Sequence, residues 1–522
     1  MKMGDTMSSK LYKLQRTRNT ISNIITGFIY KIVQLVLPFF VRSILIHEMG
    51  IEYAGLDGLF TSVLEVLNLS ELGIGLAIVY CMYKPIAEND EETLCALISL
   101  IRKAYIVIGM AIAIIGLIIA PFLEYWIKGS VPKNINLYVI YFMYLANSCV
   151  SYWFLGYKNA LLSAYQRVDV CNKISIIAKI ILYAFQVFFI YAFHDIYRYI
   201  IIMPIVTIGT NLVTGFQVDR MYPNISCKGK VSNDTKNAIK EKISGLIVTK
   251  LCYVTRNSFD SIFASMFLGL TMTAIYSNYY YIMHGVIILL GIVIQSILAG
   301  VGNSLQTETM EKNYEDFIRF NFMYLYIASI CVCCLLCIFQ PFMVLWMGET
   351  YLLPLSSVIL FCAYCYLLTI GDMQGAYYNA AGLWKYYRVP TIVEASLNIV
   401  LNYVLGKKIG LNGIIAGTLI SLFFINFLYS ERLVFKYLFK NNKEISFYAK
   451  QVKYIITTTI LCGISLLICD RWIPMRSISL VMNMFLRVLV CITVTIAINT
   501  VVYRNSEEYK SAVIWMKGRF NK

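Results

Sequence analysis

A succession of long apolar runs constrains this chain more than any other feature. Runs of 18 or more residues, long enough to cross a hydrocarbon core as helix, predict fourteen spans. They lie at 19–46, 55–83, 98–121, 136–160, 171–194, 196–217, 243–267, 272–302, 317–340, 352–380, 387–406, 411–431, 452–470 and 480–503. At roughly 25 residues per tilted span they leave about eleven residues per connection. No room remains for a folded catalytic domain outside the membrane. Composition agrees: 59% of the 522 residues are apolar and 14% charged, against about 45–50% and about 25% in a soluble domain. A soluble enzyme and a pump with its own nucleotide domain are disfavoured, and the sequence contains no G-x-x-x-x-G-K-[ST] loop.

Lys and Arg number 45 against 29 Asp and Glu, a formal charge of +16. Such an excess invites a nucleic-acid reading until its placement is examined. With a cytoplasmic N-terminus, inside segments carry 32 of the 45 and outside loops seven, including Lys128, Lys133, Lys407 and Lys408. The positive-inside rule then places both termini in the cytoplasm of a multi-pass plasma-membrane protein that binds no nucleic acid. With eight residues near span ends counted among the adjoining segments, six basic residues are read as intramembrane: Lys31, Arg42, Lys179, Lys250, Arg256 and Arg487. The first apolar run is too long for a signal-peptide core, and no small-residue cleavage site follows it. Cys331, Cys333, Cys334 and Cys337, like Cys362 and Cys365, sit in apolar helix without a nearby His or carboxylate, so no metal site is expected.

An offset of 219 residues relates two halves. It carries Lys31 onto Lys250, Gly50 onto Gly269, Glu92 onto Glu311 and Tyr105 onto Tyr324. The expected organisation is a basic tail (1–18), an N-lobe of six spans (19–217), a linker (218–242) and a C-lobe of six spans (243–431). A loop with spans 13 and 14 (432–503) and a cytoplasmic tail (504–522) follow. Six is even, so the lobes share one orientation and a pseudo-twofold along the membrane normal relates them. Substrate sites in such proteins lie between the repeats.

Charges inside a membrane are costly and are functional candidates by default. On span 1, Lys31, Gln34, Pro38 and Arg42 fall within about 80° of one another, and on span 2 Asp57, Thr61, Glu65, Asn68 and Glu71 share an arc of about 120°. Ser277, His284 and Gln295 align on span 8. Span 7 offers Lys250 and Asn257 on one face, with Arg256 and Asp260 spaced for an ion pair. Lys31, Arg42, Lys250 and Arg256 predict a cationic cavity for an anion, and phosphate or pyrophosphate suits Arg and Lys. Glu65, Glu71 and Asp260 are candidates for coupling to a proton or sodium gradient; no other cofactor is expected. Tyr276, Tyr279, Tyr280 and Tyr281, with Tyr152 and Trp153, either mark interfacial belts or line a route for a glycan.

The stretch Arg42-Ser-Ile-Leu-Ile-His-Glu-Met-Gly-Ile-Glu-Tyr-Ala-Gly-Leu-Asp-Gly-Leu-Phe60 resembles the span 1–2 signature of polysaccharide-repeat-unit flippases. So do Leu69-Ser-Glu-Leu-Gly-Ile-Gly75, Tyr83-Lys-Pro-Ile-Ala87, Tyr276-Ser-Asn-Tyr279 and Val301-Gly-Asn303. The resemblance is to the Wzx-type branch of the multidrug/oligosaccharidyl-lipid/polysaccharide exporter superfamily. It implies alternating-access movement of undecaprenyl-diphosphate-linked oligosaccharides across the bacterial plasma membrane, for capsule, O-antigen or exopolysaccharide synthesis. It also implies a polymerase and glycosyltransferases of the same pathway as partners. Arg42, Glu71 and Asn278 lie within the matching motifs. The alternatives are a peptidoglycan-precursor flippase, a multidrug exporter and, third, a polytopic glycan polymerase. The polymerase reading is weakened because the longest outside loop, about 122–135, holds Glu124 as its only acid.

Overall fold

The computed structural model describes residues 2–68, 74–129, 131–132, 135–441, 443–475 and 479–520. Within these, the side chains of 2–18, 240–251, 253, 257 and a few other helical residues lie outside the description. Regular structure among the described residues is helical, with no strand. Eleven helical rods are long and apolar enough to cross a membrane, and a pair bent by 49° makes a twelfth. That pair is α5 (Leu137–Trp153) and α6 (Asn159–Ala164) with the short turn before it. The helices α2 (Ile51–Leu67), α3 (Ile74–Glu88) and α9 (Asn233–Leu268) lie outside that count, so eleven or twelve crossing helices among the described residues are roughly consistent with the fourteen expected spans.

The 219-residue offset is visible in the helix boundaries. Helix α1 (Lys2–Met49) ends where α9 ends, and α2 begins where α10 (Leu270–Thr307) begins. Helix α3 ends where α10 ends, and α4 (Glu91–Ile119) begins where α11 (Met310–Met347) begins. The chemistry at these boundaries repeats as well. Gly50 (φ 111°) and Gly269 (φ 88°) occupy positive φ between paired helices, where a Cβ would be strained. Asp90 accepts the Thr93 N–H and Thr309 the Lys312 N–H, so side-chain caps begin α4 and α11 at equivalent positions.

The chain divides into two compact units, Met1–Ser258 with Gly269–Ala274, and Phe259–Leu268 with Ile275–Lys522. In the first, α1 packs on α7 (Val168–Phe193), α7 on α8 (Ile196–Met221), α8 on α5, and α5 on α4. The Phe60 ring meets Tyr141 at 5.6 Å and Tyr144 at 5.8 Å. Helix α7 exposes Ile177, Ile181, Phe185 and Phe188, an apolar face suited to lipid.

In the second unit, α12 (Leu355–Ile370) and α13 (Asp372–Ala380) follow α11, and α14 (Trp384–Ile409) pairs with α15 (Leu411–Leu422). Helix α15 continues through α16 (Ser430–Leu433) and two π-helical stretches to Phe439. Helices α17 (Glu444–Trp472) and α18 (Leu480–Tyr503) pack on α11, and α19 (Glu507–Phe520) follows. Phe317, Phe339, Phe361, Phe435 and Phe447 are fully buried. In lipid such rings gain no release of water, and close dispersion contact holds them together.

Candidate functional site

In the first unit the turn at Gly50 folds α2 back, so that Arg42, two turns before it, meets Asp57, two turns after. The Arg42 guanidinium lies 3.6 Å from Asp57 Oδ2 and donates to the Ala54 carbonyl at 3.3 Å. Tyr144 on α5 donates its hydroxyl to Asp57 Oδ1 at 2.5 Å. Arg42 keeps 17% of its side chain exposed while Asp57 and Ala54 fix the direction of its guanidinium. Lys31 and Gln34, on the same helix, are exposed.

Glu65 stands two turns beyond Asp57 on α2 and accepts the Ser258 hydroxyl at 3.3 Å. Asn68 ends α2; its N–H reaches the Leu64 and Val66 carbonyls, and its Oδ1 is buried without a partner. Arg256 on α9 is buried, 5% exposed. Glu71 and the side chains of Lys250 and Asn257 lie outside the described residues. A recess of about 500 Å³ opens among Asn19, Tyr83, Asn89, Gln166, Arg167 and Tyr222. Arg167 there is paired with Asp169 at 2.9 Å.

The second unit builds its polar centre around Asp260, which is fully buried. Its carboxylate accepts the Tyr276 hydroxyl at 2.9 Å, the Thr418 hydroxyl at 2.9 Å and the Asn402 amide at 2.5 Å. Asn398, one turn from Asn402 on α14, donates to Thr418 at 2.8 Å. Small residues make this possible. A Cβ on Gly413 would stand 2.0 Å from the Leu405 carbonyl oxygen, and one on Gly417 2.4 Å from Asn402 Oδ1. These two glycines, one turn apart on α15, let its backbone approach α14 closely, as small-residue pairs do in membrane helices. Sequence reading singled out Asp260 and missed Asn398, Asn402 and Thr418, because its polar stripes were confined to spans 1, 2, 7 and 8. Their i, i+4 spacing within an apolar helix is the signal that finds them.

Asn278, fully buried, directs its amide at the Met347 sulfur at 3.5 Å. The His284 ring stacks on Tyr280 with centroids 5.7 Å apart. Tyr276 and Tyr279 are buried, Tyr279 donating to Gln340 at 2.9 Å, and Tyr152 is buried too. These three rings belong to the packed interior and do not line a route; Tyr280 and Tyr281 are half-buried and Trp153 is exposed.

No protein-family model matches the sequence, and no curated protein matches it. Solved structures do match. The lipid II flippase MurJ in an inward closed conformation superposes with a TM-score of 0.66 at 14% identity, over 93% of this chain and 99% of that one. The chain shares its fold with this structure. An inward-facing multidrug resistance MATE family transporter of the MOP superfamily gives a TM-score of 0.60 at 15% identity, over 80% of this chain and 99% of that one. An outward-facing MATE structure gives 0.53 at 15% identity, over 81% of this chain and 96% of that one.

Proposed function

We propose that this protein is a flippase for pyrophosphate-linked oligosaccharides on a polyprenyl carrier, undecaprenyl diphosphate in a bacterial plasma membrane. It works by alternating access, with both termini cytoplasmic, and catalyses no covalent step. The observation that carries this reading is Arg42, a motif residue in an apolar helix whose guanidinium is aimed by Asp57 and Ala54 while remaining partly exposed. A cation fixed in low dielectric favours an anionic headgroup, and the planar fork of Arg matches phosphate oxygens. Lys31, exposed on the same helix, adds a second charge; Lys250 and Arg256 complete the proposed cationic set. The glycosyltransferases that build the lipid-linked unit and the polymerase that consumes it are the pathway neighbours.

Asp260 is the coupling group in this reading. The Asp260 carboxylate is gathered with Asn398, Asn402 and Thr418 of two further helices, the amide nitrogens and the hydroxyl donating into the network. A buried carboxylate held by neutral donors suits a proton, and a sodium ion taking the place of those donors is the alternative. Glu65 and Glu71 are the alternative coupling carboxylates.

A peptidoglycan-precursor flippase is the second reading, supported by the length of the match to the lipid II flippase. Purified protein in liposomes, offered fluorescent lipid-linked glycans of defined structure, separates the readings. Protein-dependent translocation of a repeat-unit lipid is expected. Translocation of lipid II alone supports the second reading, export of lipophilic cations alone makes the protein a drug exporter, and polymerised product makes it an enzyme.

A further inference from the structure

The second unit holds a feature that the transport reading does not use. Cys333 and Cys337, one turn apart on α11, meet Cys491 of α18, and the three sulfurs lie within 4.8 Å of one another. Cys469 of α17 is fully buried in the same cluster, and Cys334 and Cys462 pack against it. In the sequence Cys333 and Cys337 stand in a dense run on one apolar helix, for which no metal site is expected, and Cys469 and Cys491 lie far from it. The fold gathers them from three helices. Arg487, one turn before Cys491 on α18, is 5% exposed; it donates to the Cys337 carbonyl at 3.1 Å, and its Nε is buried without a partner.

We propose that this cluster is a binding site for a thiophilic d10 metal ion, Cu(I) or Zn(II), with Cys333, Cys337 and Cys491 as ligands and Cys469 available as a fourth. Thiolates at metal–sulfur distances of about 2.3 Å sit about 3.8 Å apart around one ion, so the three sulfurs need only a small inward adjustment. Soft sulfur ligands select these ions over hard cations. Binding displaces one proton from each coordinating thiol to solvent, with no change in oxidation state. Zn(II) with three thiolates carries one net negative charge beside the Arg487 guanidinium, which also pairs with Asp470 at 3.1 Å. Cu(I) is satisfied by three sulfurs in a plane, whereas Zn(II) recruits Cys469 for a tetrahedron. Either ion ties α18 to α11, and Zn(II) ties α17 as well, joining residues more than a hundred positions apart in sequence.

The test uses the full-length protein in detergent, reduced and under nitrogen, incubated separately with Cu(I) and Zn(II) and then desalted. One ion per chain is expected, with metal–sulfur scattering near about 2.3 Å in X-ray absorption, and it raises the unfolding midpoint. Cys491→Ser and Cys333→Ser/Cys337→Ser are expected to lose the ion and that stabilisation. Cys365→Ser on α12 keeps both. Failure of the wild-type chain to retain either ion overturns the proposal, whatever the folding of the variants. So does equal retention by the wild type and by Cys491→Ser.

Discussion

Thr418 on α15 donates its hydroxyl to Asp260 on α9 at 2.9 Å, although 158 residues separate them. The bond exists because Gly413 and Gly417 remove the side chains that would hold α15 away from α14. Backbone geometry therefore sets the polar centre of the second unit, and its first tests are steric.

Gly413→Val and Gly417→Val force a side chain into space held by the Leu405 carbonyl and the Asn402 amide. Each is expected to cost about 1–3 kcal/mol, the usual penalty for overpacking. Thermal unfolding in detergent reads this as a lowered midpoint. Gly463→Val, where nothing stands within 4 Å of the added Cβ, is expected to leave the midpoint within a degree or two of wild type.

Asp260→Asn keeps the shape of the network and removes its charge. The prediction is loss of any sodium or proton dependence of transport, with the protein still folded and inserted. Transport that keeps its full ion dependence in Asp260→Asn moves the coupling role to another carboxylate, Glu65 being the first to examine.

Asp57→Ala leaves the Arg42 guanidinium and the Tyr144 hydroxyl without their shared acceptor. Stranding such groups costs about 1–3 kcal/mol, so the stability loss exceeds that of Tyr144→Phe, which removes one donor. Guanidine-free thermal melts of the two variants side by side check the order.

Glu508 on α19 pairs with Lys450 at the start of α17. Burial pushes its carboxyl up, but the Lys450 hydrogen bond and charge outweigh this and hold it below the ordinary 4.5. A carboxyl depressed on folding stabilises the protein above its unfolded value and loses that contribution as pH falls through the folded one. Stability is therefore expected to decline below about pH 4.5, and less steeply in Glu508→Gln. Identical acid limbs for the two proteins contradict the pairing.

The eleven or twelve crossing helices were legible because hydrophobic length is a local property that each segment carries by itself. The 219-residue repeat was legible from a few letters and is far clearer in the helix boundaries, since Asp90 and Thr309 cap equivalent helices with different residues. The break after α5 was not anticipated within span 136–160. Its cause is Gly156, whose absent Cβ admits the Ser151 carbonyl at 2.3 Å, next to Leu155 at a φ of 53°. An apolar Phe-Leu-Gly gives no hydropathic sign of a bend. Tyr276 and Tyr279 resemble surface residues by type and are interior because Asp260 and Gln340 accept their hydroxyls. Partners of this kind, distant in sequence, are invisible until the helices are packed.

The most direct test of the account measures translocation of a pyrophosphate-linked oligosaccharide lipid in proteoliposomes by wild type, Arg42→Lys and Arg42→Gln at matched incorporation. Wild type is predicted to translocate the lipid, Arg42→Lys to retain part of the rate, and Arg42→Gln to lose at least tenfold, the equivalent of about 1.4 kcal/mol of headgroup interaction. Equal rates for wild type and Arg42→Gln would contradict the claim that this cation receives the headgroup.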